Sequence, residues 1–427
     1  MDELRHQSDE DVICTTAELF PDGAAIELLQ NGQLLFRHDD QEETAAEIAH
    51  NGHLFRAARL DLTLLSALRL PTTSSDYGTV EDLVRGMSDQ LREILGGADN
   101  HVLSLFSTTM LSTSLGDCLP GGAPVLNLWG PEEYYLPVAE IVMALCRRPL
   151  QLMDASLERL AALPRGLHPT LILTEPRAIG LPTLLRAAHH GGGLLRGGCL
   201  LMPRCSLVVF TELPSPLIDL RIPLMALAPK PSASARDIGE LENHFAPMLL
   251  RHRLDRHQHV ANSRFATEGL ASGLAVVARQ LGAAVEGAND LQENIVEALG
   301  ILDEERKAEN CQSDEAVALE ALLVVCHEQK PSALVSELSE IANTITLGRG
   351  ERPFSTPKLY GATLRRLGLR PRRHSSGFVL TLDTSACRRI HEIGRDLGVL
   401  SLVEPVAGCK NCASILGADA GRAESGA

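Results

Sequence analysis

Four short apolar runs, separated by helix-like segments, constrain the fold of this 427-residue chain most strongly. The runs are of strand length and almost uncharged, and they lie at 124–129, 170–174, 206–210 and 221–227, with 150–153 as a fifth candidate. The segment after the first run places Val138, Ile141, Val142 and Leu145 on one stripe of a helix. Apolar strands that alternate with amphipathic helices are typical of an α/β domain with a mainly parallel sheet. We predict this core over 119–235.

Composition and periodicity divide the rest of the chain into smaller units. Asn31-Gly32 separates two apolar runs, which is a hairpin signal and predicts a small, mostly β N-terminal unit over 1–70. The linker at 229–235, rich in proline, serine and alanine, ends the core. We predict the remaining units as follows: a helical connector over 71–118, a helical domain over 236–312, a winged helix over 313–400 and a disordered tail over 401–427.

The unit at 313–400 has three helix patterns and a two-stranded ribbon, followed by a closing helix. Pro331 is expected to begin the second helix, and Thr356-Pro357 is an N-cap followed by proline in the first turn of the third. The ribbon is predicted at 369–374 and 377–382. This order is typical of a winged helix-turn-helix.

Charge is distributed unevenly along the chain. The net charge is −16, which by itself argues against contact with DNA phosphates. Residues 1–50 carry −11, whereas 348–395 have eleven basic and three acidic residues, a net charge of +8. Clustered cations on one small unit favour nucleic-acid binding, and a solvated face of a protein-interaction module is the alternative. The predicted DNA-binding residues are Lys358, Arg365, Arg366, Arg370, Arg372 and Arg373.

No segment has the character of a membrane span. No stretch of about 18 apolar residues exists, and the uncharged segment between Asp99 and Asp117 is rich in serine and threonine, so we expect a buried helix there. The acidic, polar start is not a secretory signal. Ten scattered cysteines are typical of reduced thiols. We therefore predict a cytoplasmic protein without membrane contact.

The turn after the first core strand has the frame of a phosphate-binding P-loop but not its chemistry. A P-loop needs glycines whose N–H groups surround phosphate, a lysine for the β/γ-phosphates and Ser or Thr for Mg²⁺. Gly130-Pro131 begins the loop correctly. The later glycine, lysine and Ser/Thr positions are occupied by Tyr135, Leu136 and Pro137, after two glutamates.

The second strand departs in the same way from the strand that normally holds Mg²⁺. Thr174 stands where the Mg²⁺-linked aspartate is expected, and Glu175 keeps the position that activates water. A lone glutamate after a strand is also a common capping residue. Efficient Mg-ATP hydrolysis is therefore not expected.

Other candidate ligands are weaker. Cys409 and Cys412 form a lone CxxC, and structural zinc needs four ligands, so no metal site is predicted. The histidines and arginines at 251–259 are interpreted as a polar helix face. His189 and His190, before three glycines, are noted as an alternative anion contact.

The order of features resembles that of bacterial and phage primase–helicase-like P-loop ATPases, which have an AAA-type or superfamily-three-like core and a C-terminal winged helix. The resemblance covers about 119–400 and depends on 129–131 (WGP), 168–176 (HPTLILTEP) and 365–372 (RRLGLRPR). It implies ATP-driven work on DNA by an oligomer, in replication or mobile-element transactions. Only Gly130 and Glu175 match nucleotide-site positions, and Arg221 is the candidate for an arginine that contacts phosphate in a neighbouring subunit.

Three functions follow as hypotheses. The first is a degenerate P-loop ATPase-like protein that binds DNA through the winged helix, with no cofactor assigned because the ATP/Mg motif is altered. The second is an active ATP-dependent helicase or translocase. The third is a regulatory or interaction module whose core binds a partner protein, or another ligand, in the vacated loop. A second copy of the chain and a replication or mobile-element protein are the candidate protein partners.

Overall fold

The computed structural model of the chain contains two compact units. The residues that it describes are 12–39, 41–152, 163–164, 166–174, 194–195, 199–200, 205–215, 218–260, 265, 267, 270–310, 313–353, 356–401 and 409–412. The first unit comprises Met1–Glu268 with Gly273–Leu299, and the second comprises Gly269–Ser272 with Gly300–Ala427.

Seven strands at the start of the first unit form two small sheets. They are β1 (Val12–Thr15), β2 (Ala17–Leu19), β3 (Ala25–Leu28), β4 (Leu34–His38), β5 (Gln41–Ala45), β6 (Glu47–His50) and β7 (His53–Ala57). One sheet has the order β2-β3-β4-β5 and the other β1-β7-β6. The predicted hairpin at Asn31-Gly32 is confirmed, since β3 and β4 pair antiparallel across it and Gly32 has a φ of +79°.

The centre of the first unit is a five-stranded parallel sheet. Its strands are β8 (Leu126–Trp129), β9 (Pro149–Leu152), β10 (Thr170–Leu173), β13 (Ser206–Thr211) and β14 (Leu220–Pro223), in the order β14-β8-β13-β10-β9. All four pairings are parallel, which confirms the predicted α/β class. The last strand is shorter than its apolar run, because Leu224–Leu227 forms a 3₁₀ turn. A small antiparallel pair, β11 (Leu194–Leu195) and β12 (Cys199–Leu200), lies between β10 and β13 in the sequence.

The strand order reverses beside β8. From β8 the chain goes to β9 at the far edge, then returns through β10 and β13 and passes β8 to reach β14. Because crossovers between parallel strands are right-handed, connections from the neighbouring strands β8 and β13 leave on opposite faces of the sheet. Ligands of open α/β sheets bind at the carboxyl ends of strands at such a point. The loop that begins at Gly130, at the carboxyl end of β8, is therefore the candidate ligand-binding position of this sheet.

The first unit also contains helices. They are α1 (Leu62–Ala67), α2 (Val80–Ile94), α3 (Asn100–Ser114), α4 (Tyr135–Leu145), α5 (Ala235–Val260) and α6 (Ser272–Ala284), and α7 (Asn289–Asn310) runs across the division between the units. The expected buried helix at 99–117 is confirmed as α3, whose hydroxyls donate to carbonyls of the preceding turn, as from Thr109 to Leu105 at 2.6 Å. No helix in the described ranges combines the length and apolar character needed to cross a membrane.

The N-terminal strands and the parallel sheet share one hydrophobic core. Ile26, Leu34 and Phe55 from the strands pack in the same buried cluster as Leu171 and Val209 from the sheet. Apolar side chains from β-strands on both sides are thus removed from water together, which is the dominant stabilising contribution to such a fold.

A cluster of ion pairs is buried beside this core. Glu27 on β3 lies 2.9 Å from Arg147, 2.7 Å from Arg148 and 2.5 Å from Arg253 of α5, and Arg253 also lies 2.5 Å from Asp117. Burial alone would raise the pKa of Glu27, but the three arginines outweigh it and lower this pKa to about 2. The cluster therefore holds three cations and two anions away from water.

The second unit has its own core. Its elements are α8 (Asp314–His327), β15 (Ser332–Leu334), α9 (Val335–Gly348), α10 (Pro357–Arg366), β16 (Arg372–His374), β17 (Gly377–Thr381) and α11 (Thr384–Asp396), and the three strands form an antiparallel sheet ordered β15-β17-β16. The expectation that Pro331 begins a helix is wrong, because residues 332–334 pair with β17 and α9 begins at Val335. Leu319, Leu322, Leu338 and Leu364 are fully buried in the shared core.

Candidate functional site

Gly130 directly follows β8, the strand next to the β14 edge of the parallel sheet. Its N–H donates to the Thr211 carbonyl at 2.9 Å, which joins the start of the loop to β13. Its φ is +147°, and a Cβ atom at this position would lie 3.2 Å from Cβ of Leu224. Both observations explain why the chain has glycine here.

The loop after Gly130 is folded differently from a phosphate cradle. Glu132–Tyr134 forms a 3₁₀ turn, in which the N–H of Tyr134 donates to the Pro131 carbonyl at 3.1 Å and that of Tyr135 donates to the Glu132 carbonyl. These N–H groups are engaged within the turn, whereas a P-loop directs such groups at phosphate.

The side chains at the altered positions do not restore the missing chemistry. Tyr135 is buried against Phe210, with ring centroids 5.4 Å apart. Leu136 is 65% exposed, and the two exposed glutamates at 132 and 133 add negative charge where phosphate would lie. The loop from Gly130 to Pro137 contains no basic side chain that would attract an anion.

The position after β10, where a Mg²⁺-linked aspartate would be expected, is buried and uncharged. Thr174 follows β10 directly and is 4% exposed. Glu175, His189 and His190 lie outside the described residues. Arg221 lies on β14, in register with Asn127 of β8, and is half-buried.

Asn127 is a buried polar residue within β8 that the sequence pattern did not single out. Its Nδ2 donates to the Val209 carbonyl at 3.0 Å and to Oγ1 of Thr211 at 2.8 Å, and its Oδ1 accepts from the N–H of Ser215 at 2.7 Å. The amide therefore fastens the segment after β13 to β8. An asparagine within an apolar run was the available signal, since a buried amide requires hydrogen-bond partners.

A small cavity of about 40 Å³ in the first unit lies beside the buried ion pairs. Arg69 in its wall lies 2.6 Å from Glu140 and 2.8 Å from Glu242. Glu27 and Arg253 also line it. Arg69, Glu27 and Arg253 thus form ion pairs within the protein, so these charges have a structural role without a bound ligand.

The interpretation of the arginines and histidines at 251–259 as a polar helix face is wrong for three of these six residues, which are buried. His252 and Arg253 are fully buried and His257 is 6% exposed, while Arg251 and Arg256 are half-buried. The residues lie on α5, which packs against both α3 and α4. Arg253 reaches two carboxylates inside the unit, and this long-range pairing has no periodic signal in the sequence.

The predicted basic residues are exposed on the second unit. Lys358, Arg365 and Arg366 lie on α10, Arg370 follows it, and Arg372 and Arg373 lie on β16. Arg366 forms an ion pair with Glu315 at 2.9 Å. None of the other five forms an ion pair within the described part of the chain.

Local sequence explains why these cations face solvent. Oγ1 of Thr356 caps α10 by accepting from the Leu359 N–H at 3.4 Å. Tyr360 and Leu364 bury one face of the helix, and Oη of Tyr360 donates to the Ala318 carbonyl at 2.7 Å. Gly368, with φ of +74°, ends the helix, where the Leu369 N–H donates to the Leu364 carbonyl at 2.8 Å. The remaining face carries the basic residues.

Comparison with known proteins leaves the chain without an assigned family. No protein-family model matches the sequence, and no curated protein matches it. Among solved structures, the active helicase Cch of SCCmec type IV is 11% identical with a TM-score of 0.43, over 90% of this chain and 80% of that one. The apo C-terminal region of NrS-1 is 10% identical with a TM-score of 0.32, over 84% and 96% of the two chains.

Drosophila ORC bound to DNA is a third similar structure, 12% identical with a TM-score of 0.21, over 76% of this chain and 94% of that one. All three scores lie below 0.5. They establish no common fold, and the function has to be inferred from the chain's own residues.

Proposed function

We propose that this chain is a P-loop-ATPase-like protein that binds DNA through a C-terminal winged helix and hydrolyses little or no ATP. The order α8, β15, α9, α10, β16 and β17 supports the winged helix, because three helices are followed by a β-ribbon whose sheet is completed by the short strand β15. In this arrangement α10 takes the place of the recognition helix.

The observation that carries the proposal is the row of unpaired cations on the second unit. Lys358, Arg365, Arg370, Arg372 and Arg373 are exposed and have no ion-pair partner in the described ranges. They occupy the helix and the ribbon, the two elements that would approach a groove and its flanking phosphates. Arginine and lysine side chains that are not neutralised within the protein can replace the counterions of DNA phosphates.

The loop at Gly130 supports the absence of efficient ATP hydrolysis. Its backbone N–H groups at 134 and 135 are engaged, Leu136 replaces the lysine, and Pro137 replaces the Mg²⁺ ligand. Phosphoryl transfer depends almost entirely on positioning and charge stabilisation by such groups. Arg221 on β14 is the candidate for an arginine that contacts a phosphate bound by a neighbouring subunit.

DNA binding is tested with the full-length chain and fluorescently labelled duplex DNA. Fluorescence anisotropy should show binding that weakens as salt is raised, and the double variant Arg372→Ala/Arg373→Ala should bind more weakly than the wild type. Arg85→Ala is the matched control, because Arg85 is an exposed arginine of α2 in the first unit. Binding that is equal in the double variant and the wild type would contradict the proposed interface.

ATP turnover is measured on the same samples, with Mg²⁺ and with or without DNA. We expect no turnover above background in either condition. DNA-stimulated ATP turnover would instead support an active helicase or translocase. A wild type with neither DNA binding nor ATP turnover would support a scaffold. Leu136→Lys combined with Pro137→Ser asks whether restoring two side chains restores nucleotide binding.

A further inference from the structure

The second unit brings two histidines and two cysteines from three separate segments to one point. His327 ends α8, His391 lies in α11, Cys409 directly precedes a helical stretch at 410–412, and Cys412 lies in that stretch. One donor atom from each residue lies within 4.8 Å of all the others. We propose that these four residues bind one Zn²⁺ ion, which fastens the 409–412 segment to α8 and α11.

The distances between the donor atoms agree with tetrahedral zinc. With Zn–N near 2.0–2.1 Å and Zn–S near 2.3 Å, tetrahedral geometry places two nitrogens about 3.3 Å apart and a nitrogen and a sulfur about 3.6 Å apart. Nε2 of His327 lies 3.2 Å from Nε2 of His391 and 3.1 Å from Sγ of Cys412. Sγ of Cys409 lies 3.4 Å from Nε2 of His391. The three distances are about 0.1–0.5 Å shorter than these values, so a small outward shift of the side chains would let the four donors share one ion.

The second ring nitrogen of His391 is held as in protein zinc sites. Nδ1 donates to the backbone carbonyl of Cys387 at 2.7 Å, so in the neutral ring Nε2 has the lone pair and points into the cluster. His391 is fully buried and Cys412 is 4% exposed.

The donor set determines the metal and its role. Two thiolates and two imidazoles suit Zn²⁺ and do not suit Mg²⁺ or Ca²⁺, which take oxygen ligands. Binding releases the two thiol protons to solvent, and the two thiolate charges balance the ion. Four protein ligands fill the tetrahedron, which is the pattern of a structural site rather than a catalytic one.

The spacing of the ligands explains why the sequence shows only half of the site. Cys409 and Cys412 form a recognisable CxxC, whereas His327 and His391 are far from it in the sequence. Two further thiols, those of Cys326 and Cys387, lie near the cluster but outside the group of four donors. Sγ of Cys387 donates to the Leu382 carbonyl at 3.6 Å, so Cys387 provides a matched control.

The test is the metal content of the full-length protein, purified under reducing conditions and reconstituted with Zn²⁺. We expect one zinc per chain by mass spectrometry, and a Co²⁺-substituted sample with the absorption of a tetrahedral site with thiolate ligands. Cys409→Ser should lose zinc on dialysis against a chelator under conditions in which the wild type retains it. Cys387→Ser should keep it.

Two readouts protect the test against unfolding of the variants. The first variant changes Cys409 because this ligand is half-exposed. In the wild type, removal of zinc by a chelator should lower the thermal stability, and addition of Zn²⁺ should restore it. Absence of stoichiometric zinc in the reconstituted wild type would overturn the proposal. So would equal zinc loss in Cys387→Ser.

Discussion

At the scale of single residues, Glu27 is the anion on which the buried charges of the first unit depend. It touches Arg147, Arg148 and Arg253, two of which are essentially inaccessible to water. Burial and the neighbouring Arg147 lower the pKa of Arg148 to about 9, even with Glu27 in place. A buried ion cluster adds little stability by itself, but removing one partner leaves uncompensated charge.

Replacement of Glu27 by glutamine should therefore be strongly destabilising. We expect the free energy of unfolding to fall by about 3–5 kcal/mol, measured by urea denaturation. Glu47→Gln is the control, because Glu47 forms an exposed pair with Arg56 at 2.6 Å, and an exposed pair contributes about 1 kcal/mol at most. Equal decreases in the free energy of unfolding in the two variants would contradict the expectation that Glu27 offsets the charge of the buried arginines.

The buried histidine of α5 should make stability depend on pH. Burial, and then the charge of Arg256, lower the pKa of His252 from 6.5 to about 3. The folded state thus favours the neutral ring, so stability is complete above about pH 6.5 and declines as pH falls towards 3, by up to about 1.4 kcal/mol per pH unit for each such group.

Urea unfolding at pH 7, 6 and 5 tests this expectation in a range where Glu27 stays ionised. His257 adds to the slope, since burial also lowers its pKa. His252→Leu should reduce the slope, whereas the exposed His259→Asn on the same helix serves as the control. A slope that is unchanged in His252→Leu would mean that this ring is accessible to protons in the folded state.

At the scale of elements, the loop between β8 and α4 depends on the backbone of one glycine. Gly130→Ala places a Cβ 3.2 Å from Leu224 in a conformation that L-residues rarely adopt. We expect a loss of roughly 1–3 kcal/mol in the free energy of unfolding. Gly97→Ala is the control, because nothing lies within 4 Å of its added Cβ. Comparable stability of the two variants would contradict the strained loop geometry.

Elements with long apolar patterns were predictable, and short or paired ones were not. The strands at 126–129, 170–173 and 206–211 lie where the apolar runs predict them. The three-residue strand β15 was missed, since its residues have no period and it exists only through its pairing with β17. The polar face expected at 251–259 was wrong because the carboxylates of Glu27 and Asp117, distant in sequence, bury Arg253.

At the scale of the whole molecule, the charge distribution predicts how DNA affinity responds to salt. The five predicted DNA-binding cations without an ion pair in the described ranges correspond to a slope of log K against log salt of about −4.5, at 0.9 per phosphate contact. The double variant Arg372→Ala/Arg373→Ala should reduce the slope by about 1 for each cation removed. An unchanged slope in this variant would place the DNA contact on other residues of the chain.

The sequence alone determined the α/β class, the strand-turn-helix frame at Gly130, its altered nucleotide residues and the concentration of positive charge at 348–395. These properties depend on local pattern and composition, which folding does not change. Tertiary structure decided which polar residues meet. It assembled the buried ion cluster around Glu27, engaged the loop N–H groups in a 3₁₀ turn, and brought His327 and His391 to Cys409 and Cys412. Such contacts join residues far apart in the chain, and their spacing follows from packing rather than from any sequence period.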